Sequence, residues 1–130
     1  MKNNSINAIS PIDGRYYNQT QFLDEFFSEK ALIRYRLRIE VEYFIKLTES
    51  KINQLSDWNK NNNSKLRDIY INFDDSDAIK VKEIEKTTNH DVKAVEYFLK
   101  EKFELLDLEK YSEFIHFGLT SQDINNTAIP

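Results

Sequence analysis

Between Ser28 and Glu49 apolar residues return at three- and four-residue steps: Ile33, Leu37, Val41, Phe44 and Leu47. That spacing lines one face of an α-helix. A stripe of such length has to be covered by other elements, so it commits the chain to helix packing. The scarcity of turn residues points the same way. Two glycines and two prolines in 130 residues leave few of the turns on which strand-rich sandwiches depend. The expected fold class is all-α, with helices near residues 28–49, 65–73, 78–86 and 91–104.

Two further faces flank the stripe. Tyr35, Ile39, Tyr43 and Ile45 widen the apolar surface, which fits either a broad core face or a helix covered on two sides, the second side by another subunit. Arg34, Arg38, Glu42 and Lys46 form a charged face, with Arg34 and Arg38 repelling and Glu42 and Lys46 attracting. Residues 59–64 read as a polar connector, with Ser64 as the cap of a helix over 65–73 whose shared face holds Leu66, Ile69 or Tyr70, and Phe73. The acidic run Asp74-Asp75-Ser76-Asp77 lacks the turn glycine and distal glutamate of a calcium loop. It reads instead as a capped helix start, leading through Ile79 and Ile84 to Thr87. Residues 105–110 read as a connector.

A chain of this length buries roughly two-thirds of its unfolded surface. Apolar residues make up 40% and charged residues 31%, a balance that supports a globular core and excludes disorder. The formal net charge of −4 argues against a general nucleic-acid binder. No apolar run approaches a membrane span, and the N-terminus lacks the apolar core of a signal peptide. With no cysteine there is neither a disulfide framework nor a thiolate metal site. These features together lead to the expectation of a cytoplasmic protein.

Three polar segments carry the candidate chemistry. In the first, Ser10-Pro11-Ile12-Asp13-Gly14-Arg15-Tyr16, Gly14 permits a tight turn from which Arg15 projects. An arginine fork held on such a turn suits a phosphate or carboxylate. In the second, Thr87, Thr88, Asn89 and Asp91 are all cap-forming types around His90. They precede a helix whose buried face is Val92, Val95, Phe98 or Leu99, and Phe103. His90 therefore sits at or just before a helix N-terminus, where unpaired N–H groups and the helix dipole favour an anion. In the third, Gly118 breaks an aromatic run around His116, and Thr120 with Asp123 makes an approximate capping box. Thr120 and Ser121 bring hydroxyls to another helix start. If the segments converge, they form a site for a multiply anionic ligand. A metal site using His90, Asp91 and His116 is the competing reading, but the histidines lack ligand-type spacing.

Residues Ser10 to Tyr16 (SPIDGRY), Lys86 to Lys100 (KTTNHDVKAVEYFLK) and Ser112 to Asn126 (SEFIHFGLTSQDINN) resemble the adenylosuccinate lyases in their bacterial form, within the fumarase/aspartase superfamily. The resemblance runs from about Ala8 to the end of the chain. It implies a mostly α-helical homotetramer whose active sites form where three subunits meet. It implies elimination of fumarate from adenylosuccinate to give AMP, and from SAICAR to give AICAR, without metal or organic cofactor. Carried over by motif, Arg15 and Tyr16 would hold the phosphate end of the nucleotide. Asn89, His90 and Asp91 would line the nucleotide and succinyl site, with His90 supporting the proton chemistry. Thr120 and Ser121 would bind a carboxylate of the fumarate portion. The role of His116, which lies in the matching motif, is left open.

The same resemblance implies that the family's general-acid histidine and mobile-loop serine lie beyond Pro130. Ser121-Gln122-Asp123-Ile124 reads as a helix opening just before the last residue, so an N-terminal fragment of a longer protein is expected. Residues 1–111 would be an N-terminal helical domain and 112–130 the start of a central helical one. From another class, a stand-alone helical interaction module would explain the broad apolar surface of residues 35–47, but not the three polar segments.

Overall fold

The computed structural model describes residues 28–119 and 123–124. Among them the regular elements are α1 (Glu29–Thr48), α2 (Asn62–Ile71), α3 (Asp75–Thr88) and α4 (Asp91–Leu105), with 3-10 turns at Asn53–Leu55 and Glu109–Phe114. The all-α expectation holds. Four long helices lie close to the expected positions, and their ends differ for local reasons.

Helix α1 starts where Ser28 accepts a hydrogen bond from the Ala31 N–H at 3.1 Å, an N-cap that satisfies one unpaired donor. Ile33, Leu37, Val41 and Phe44 are buried as the stripe requires, and Ile45 joins them. Arg36 and Glu40 are buried in the same face. The charged face is a docking surface for α2. Arg67 grips the Glu42 carboxylate through two hydrogen bonds of 2.9 and 3.1 Å, and the Tyr70 hydroxyl donates to it at 2.7 Å. The expected Glu42–Lys46 attraction is thereby superseded. A bidentate guanidinium outcompetes a lysine one turn along, and Lys46 lies 3.9 Å from Glu49 instead.

Helix α2 begins three residues before its expected start. Ser64 is not the cap: its hydroxyl donates to the Asn61 carbonyl at 3.3 Å. The helix entrance is anchored by Trp58, whose indole N–H donates to Asn63 at 2.8 Å. A tertiary contact thus draws part of the asparagine-rich connector into helix. Helix α3 also begins three residues early, because the acidic run supplies both its cap and its first turn. Asp74 accepts from the Asp77 N–H at 2.9 Å, and Asp77 accepts from the Asp74 N–H at 3.1 Å. This is a reciprocal capping box with aspartate in the usual glutamate place.

The core lies around α1 and α4, with α2 adding Leu66 and α3 adding Val81. Phe44 packs edge-on against Phe103 at 5.0 Å and against Trp58 at 5.1 Å, and Trp58 meets Tyr111 at 5.0 Å. Val92, Val95, Phe98, Leu99 and Phe103 are all buried along α4, as their spacing predicts. Each such side chain, fully buried, contributes about 1.5–3 kcal/mol. The connector after α4 is shorter than expected: Leu105 ends the helix and Glu109 opens the 3-10 turn. That turn buries Tyr111 and Phe114 and is tied to the loop before α2 by Asp57, which pairs with Lys110 and accepts from the Tyr111 hydroxyl.

Candidate functional site

Helices α3 and α4 are joined by two residues, and both belong to the second polar segment. Helix α3 continues to Thr88, so Thr87 and Thr88 end one helix and do not cap the next. Asn89 then takes the left-handed conformation, φ 55° and ψ 29°, which asparagine tolerates better than most residues. His90 is extended and is itself the N-cap of α4: its Nδ1 accepts from the Lys93 N–H at 3.2 Å. With Nδ1 as acceptor, the neutral ring carries its proton on Nε2. Asp91 accepts from the Val92 N–H at 2.8 Å through Oδ1.

This geometry corrects one expectation. The sequence predicts first-turn N–H groups of α4 that are open to an anion. Val92 and Lys93 instead donate to Asp91 and His90. Those two N–H groups are therefore not open to an anion.

Asp91 also reaches across to α1, where its Oδ2 lies 3.0 Å from the Arg36 guanidinium, a side chain only 8% exposed. One turn further along the same face is Glu40. Its carboxylate has no exposed surface, and its Oε2 lies 2.5 Å from Nδ1 of His116. The other oxygen, Oε1, has no hydrogen-bond partner among the described residues. Burial pushes the Glu40 carboxyl up from the usual glutamate range. His116 opposes that shift and Glu96 adds to it.

His116 sits at φ 65° and Gly118 at φ 75°. A non-glycine residue in that region costs on the order of 1–3 kcal/mol and persists where its surroundings hold it. Here Glu40 holds the ring, and the Tyr43 hydroxyl donates to the Phe117 carbonyl at 2.8 Å. At Gly118, among the described residues, an added Cβ would meet the Tyr43 hydroxyl at an ordinary 3.6 Å. The glycine therefore serves the backbone angle and does not relieve crowding. The second flank of α1 is accordingly contacted by the chain's own segment after α4, through Tyr43.

One face of α1 thus gathers the second and third polar segments, Arg36 taking Asp91 and Glu40 taking His116. Arg15, Tyr16, Thr120 and Ser121 lie outside the described residues. Asp123 and Ile124 are helical, and Ile124 is buried. Among the described residues no three His, Cys, Asp or Glu side chains are grouped to hold a metal ion. A surface groove of about 270 Å³ between α1 and α3, lined in part by Lys30, Ile33, Ile79 and Lys82, contains none of these site residues.

Arg36 and Glu40 are the residues that sequence reasoning missed, although a signal was present. In the run Ile33, Arg36, Leu37, Glu40, Val41, Phe44 they occupy helix positions that should be apolar. A charge inside an apolar stripe requires a buried partner.

A family model described as "Lyase" matches residues 14–130. The chain is 63% identical over 131 residues to the adenylosuccinate lyase of Dictyostelium discoideum, which covers 98% of this chain. It is 50% identical to that of Legionella pneumophila (strain Corby) over 95% of its length, and 45% identical to that of Escherichia coli (strain K12) over 97%. The chain spans 28% of the length of each of these relatives.

Proposed function

The chain belongs to the lyase family, and from that premise we propose that it forms the N-terminal part of an adenylosuccinate lyase. The reaction breaks a C–N bond by β-elimination. A proton leaves the carbon next to a carboxylate, the amine leaves with a proton, and fumarate is released. Adenylosuccinate gives AMP, and SAICAR gives AICAR. The observation that carries this reading is the similarity to adenylosuccinate lyases along almost the whole chain.

In this reading the residues divide the substrate between them. Arg15 and Tyr16 hold the phosphate. Asn89, His90 and Asp91 line the nucleotide and succinyl portion, with His90 aiding proton movement. Thr120 and Ser121 hold a carboxylate of the departing fumarate. Elimination builds negative charge on a carboxylate-bearing carbanion, and fixed donors facing that charge lower the barrier. The geometry around His90 supports its part. With Nδ1 accepting from the Lys93 N–H, the ring is held in a fixed orientation at the helix entrance. Residues 1–111 form the N-terminal helical domain of the complete enzyme and 112–130 open its central one. The complete polypeptide is a cytoplasmic homotetramer without metal or organic cofactor, and it acts on nucleotides and not on nucleic acid or membranes.

The test is turnover by the purified complete polypeptide. Adenylosuccinate should yield AMP and fumarate in equal amounts, and His90→Gln should lower turnover by at least about a hundredfold, the low end for a proton-transfer group. A folded polypeptide that binds no adenylosuccinate would overturn the reading.

A further inference from the structure

We infer that Glu40 is a positioning residue for His116, the two sharing one proton across a buried contact so that only Nε2 of the imidazole is left to meet the substrate. This rests on the proposed lyase reading, in which the segment leading to Thr120 and Ser121 borders the substrate.

Four observations support it. Glu40 has no exposed surface, and His116 is the one hydrogen-bond partner of its carboxylate among the described residues. The contact is close, 2.5 Å, inside the roughly 2.7–2.9 Å usual for a charge-assisted N–H···O bond. The backbone at His116 is left-handed, a conformation the ring contact helps to hold. The His116 side chain keeps 17% of its surface exposed, so the ring is not sealed. A carboxylate placed only to stabilise the fold would be expected to have both oxygens satisfied. Among the described residues Glu40 leaves Oε1 unmet and directs Oε2 to an imidazole on a strained backbone. Among the described residues its charged surroundings are Arg36 one turn before it on α1, Glu96 on α4, and His116 itself. Arg36 is engaged with Asp91, and Glu96 lies 3.1 Å from Lys100.

The arrangement fixes what His116 can do. When the Glu40 carboxylate is ionised, Nδ1–H of the neutral ring donates to it and Nε2 is left to accept a proton. When the ring is charged, Glu40 supplies the counter-charge. A buried carboxylate behind an imidazole serves to orient the ring and stabilise the imidazolium.

The experiment compares wild type, Glu40→Gln, Glu40→Met, His116→Gln and the Glu40→Gln/His116→Gln double variant of the complete polypeptide, by kcat, KM, pH profile and thermal melting. Glutamine can keep a hydrogen bond to Nδ1 but removes the charge; methionine removes both. Glu40→Gln should lower kcat roughly tenfold or more and change the shape of its pH profile, with KM and melting temperature moving little. Glu40→Met should lose more. The double variant should be no slower than His116→Gln alone, because Glu40 acts only through that ring. Additive losses, or a Glu40→Gln enzyme with wild-type kcat and pH profile, would overturn the inference while leaving the lyase reading intact. Absence of wild-type turnover would instead defeat the lyase reading on which it rests.

Discussion

His90 has two separable jobs, and exchanging its side chain tells them apart. Its Nδ1 caps α4 by accepting from the Lys93 N–H, and its ring is proposed to serve proton movement. His90→Ala removes both. Losing an N-cap side chain costs about 1 kcal/mol, with a range of roughly 0.5–2. Six α4 residues are buried in the core, so the loss should fall on global stability and not on fraying of one end. Melted on its own, the 130-residue chain should lose roughly 3–5 °C in melting temperature. His90→Asn restores one of the best N-cap side chains but has no imidazole. Its melting temperature should stay within about 1 °C of wild type, while turnover of the complete enzyme falls by at least about a hundredfold. The assay is thermal melting by circular dichroism beside fumarate release. An unchanged melting temperature in His90→Ala would refute the capping account. Near-normal turnover in His90→Asn would reduce His90 to a cap.

Other expectations follow from the same geometry. Phe44→Ala should cost about 3–5 kcal/mol, read in urea by fluorescence of the single tryptophan, Trp58, which packs on that ring. The hydrogen bonds from Arg67 hold the Glu42 carboxyl below the usual glutamate range, near 4.3 in the unfolded chain. Its stabilisation is therefore complete above that range and lost as pH falls through the lowered folded value, and Glu42→Gln should flatten the acid limb of a stability profile. Burial raises the Glu40 carboxyl, so its stabilisation is present below about 4.3 and lost as pH rises through the raised folded value. Relative to wild type, Glu40→Gln should therefore gain as pH rises, where Glu42→Gln loses. Ser121→Ala in the complete enzyme should weaken fumarate binding by about 1.5–3 kcal/mol, as for a lost hydrogen bond to a charged group, and leave AMP binding unchanged. Equal losses for both ligands would defeat the carboxylate assignment.

The sequence made the helices legible because each long one carries a three-to-four-residue apolar stripe, and Val92, Val95, Leu99 and Phe103 are buried where that stripe places them. The helix ends were less legible because they are decided by contacts that periodicity does not encode. Trp58 reaches Asn63 to start α2, and two aspartates cap α3 reciprocally. At the site, the cap types around His90 marked a helix start correctly, yet the histidine itself became the cap. Its own side chain then consumed an N–H that seemed available to a ligand. Glu42 reads from the sequence as a partner of Lys46 on a charged face, because the residue that claims it, Arg67, lies 25 residues away. Glu40 was the hardest to assign. Its position in an apolar stripe was visible, but its partner His116 lies 76 residues away, and no local rule connects them.

The most direct test of the central claim is a chimera. These 130 residues would replace the corresponding segment of the Dictyostelium discoideum adenylosuccinate lyase, to which they are 63% identical. If the chain carries its share of the substrate site, the chimera should release fumarate and AMP in equal amounts, at a rate within about tenfold of the parent, a loss of roughly 1.4 kcal/mol in barrier. A chimera that melts like the parent but releases no fumarate would contradict the account.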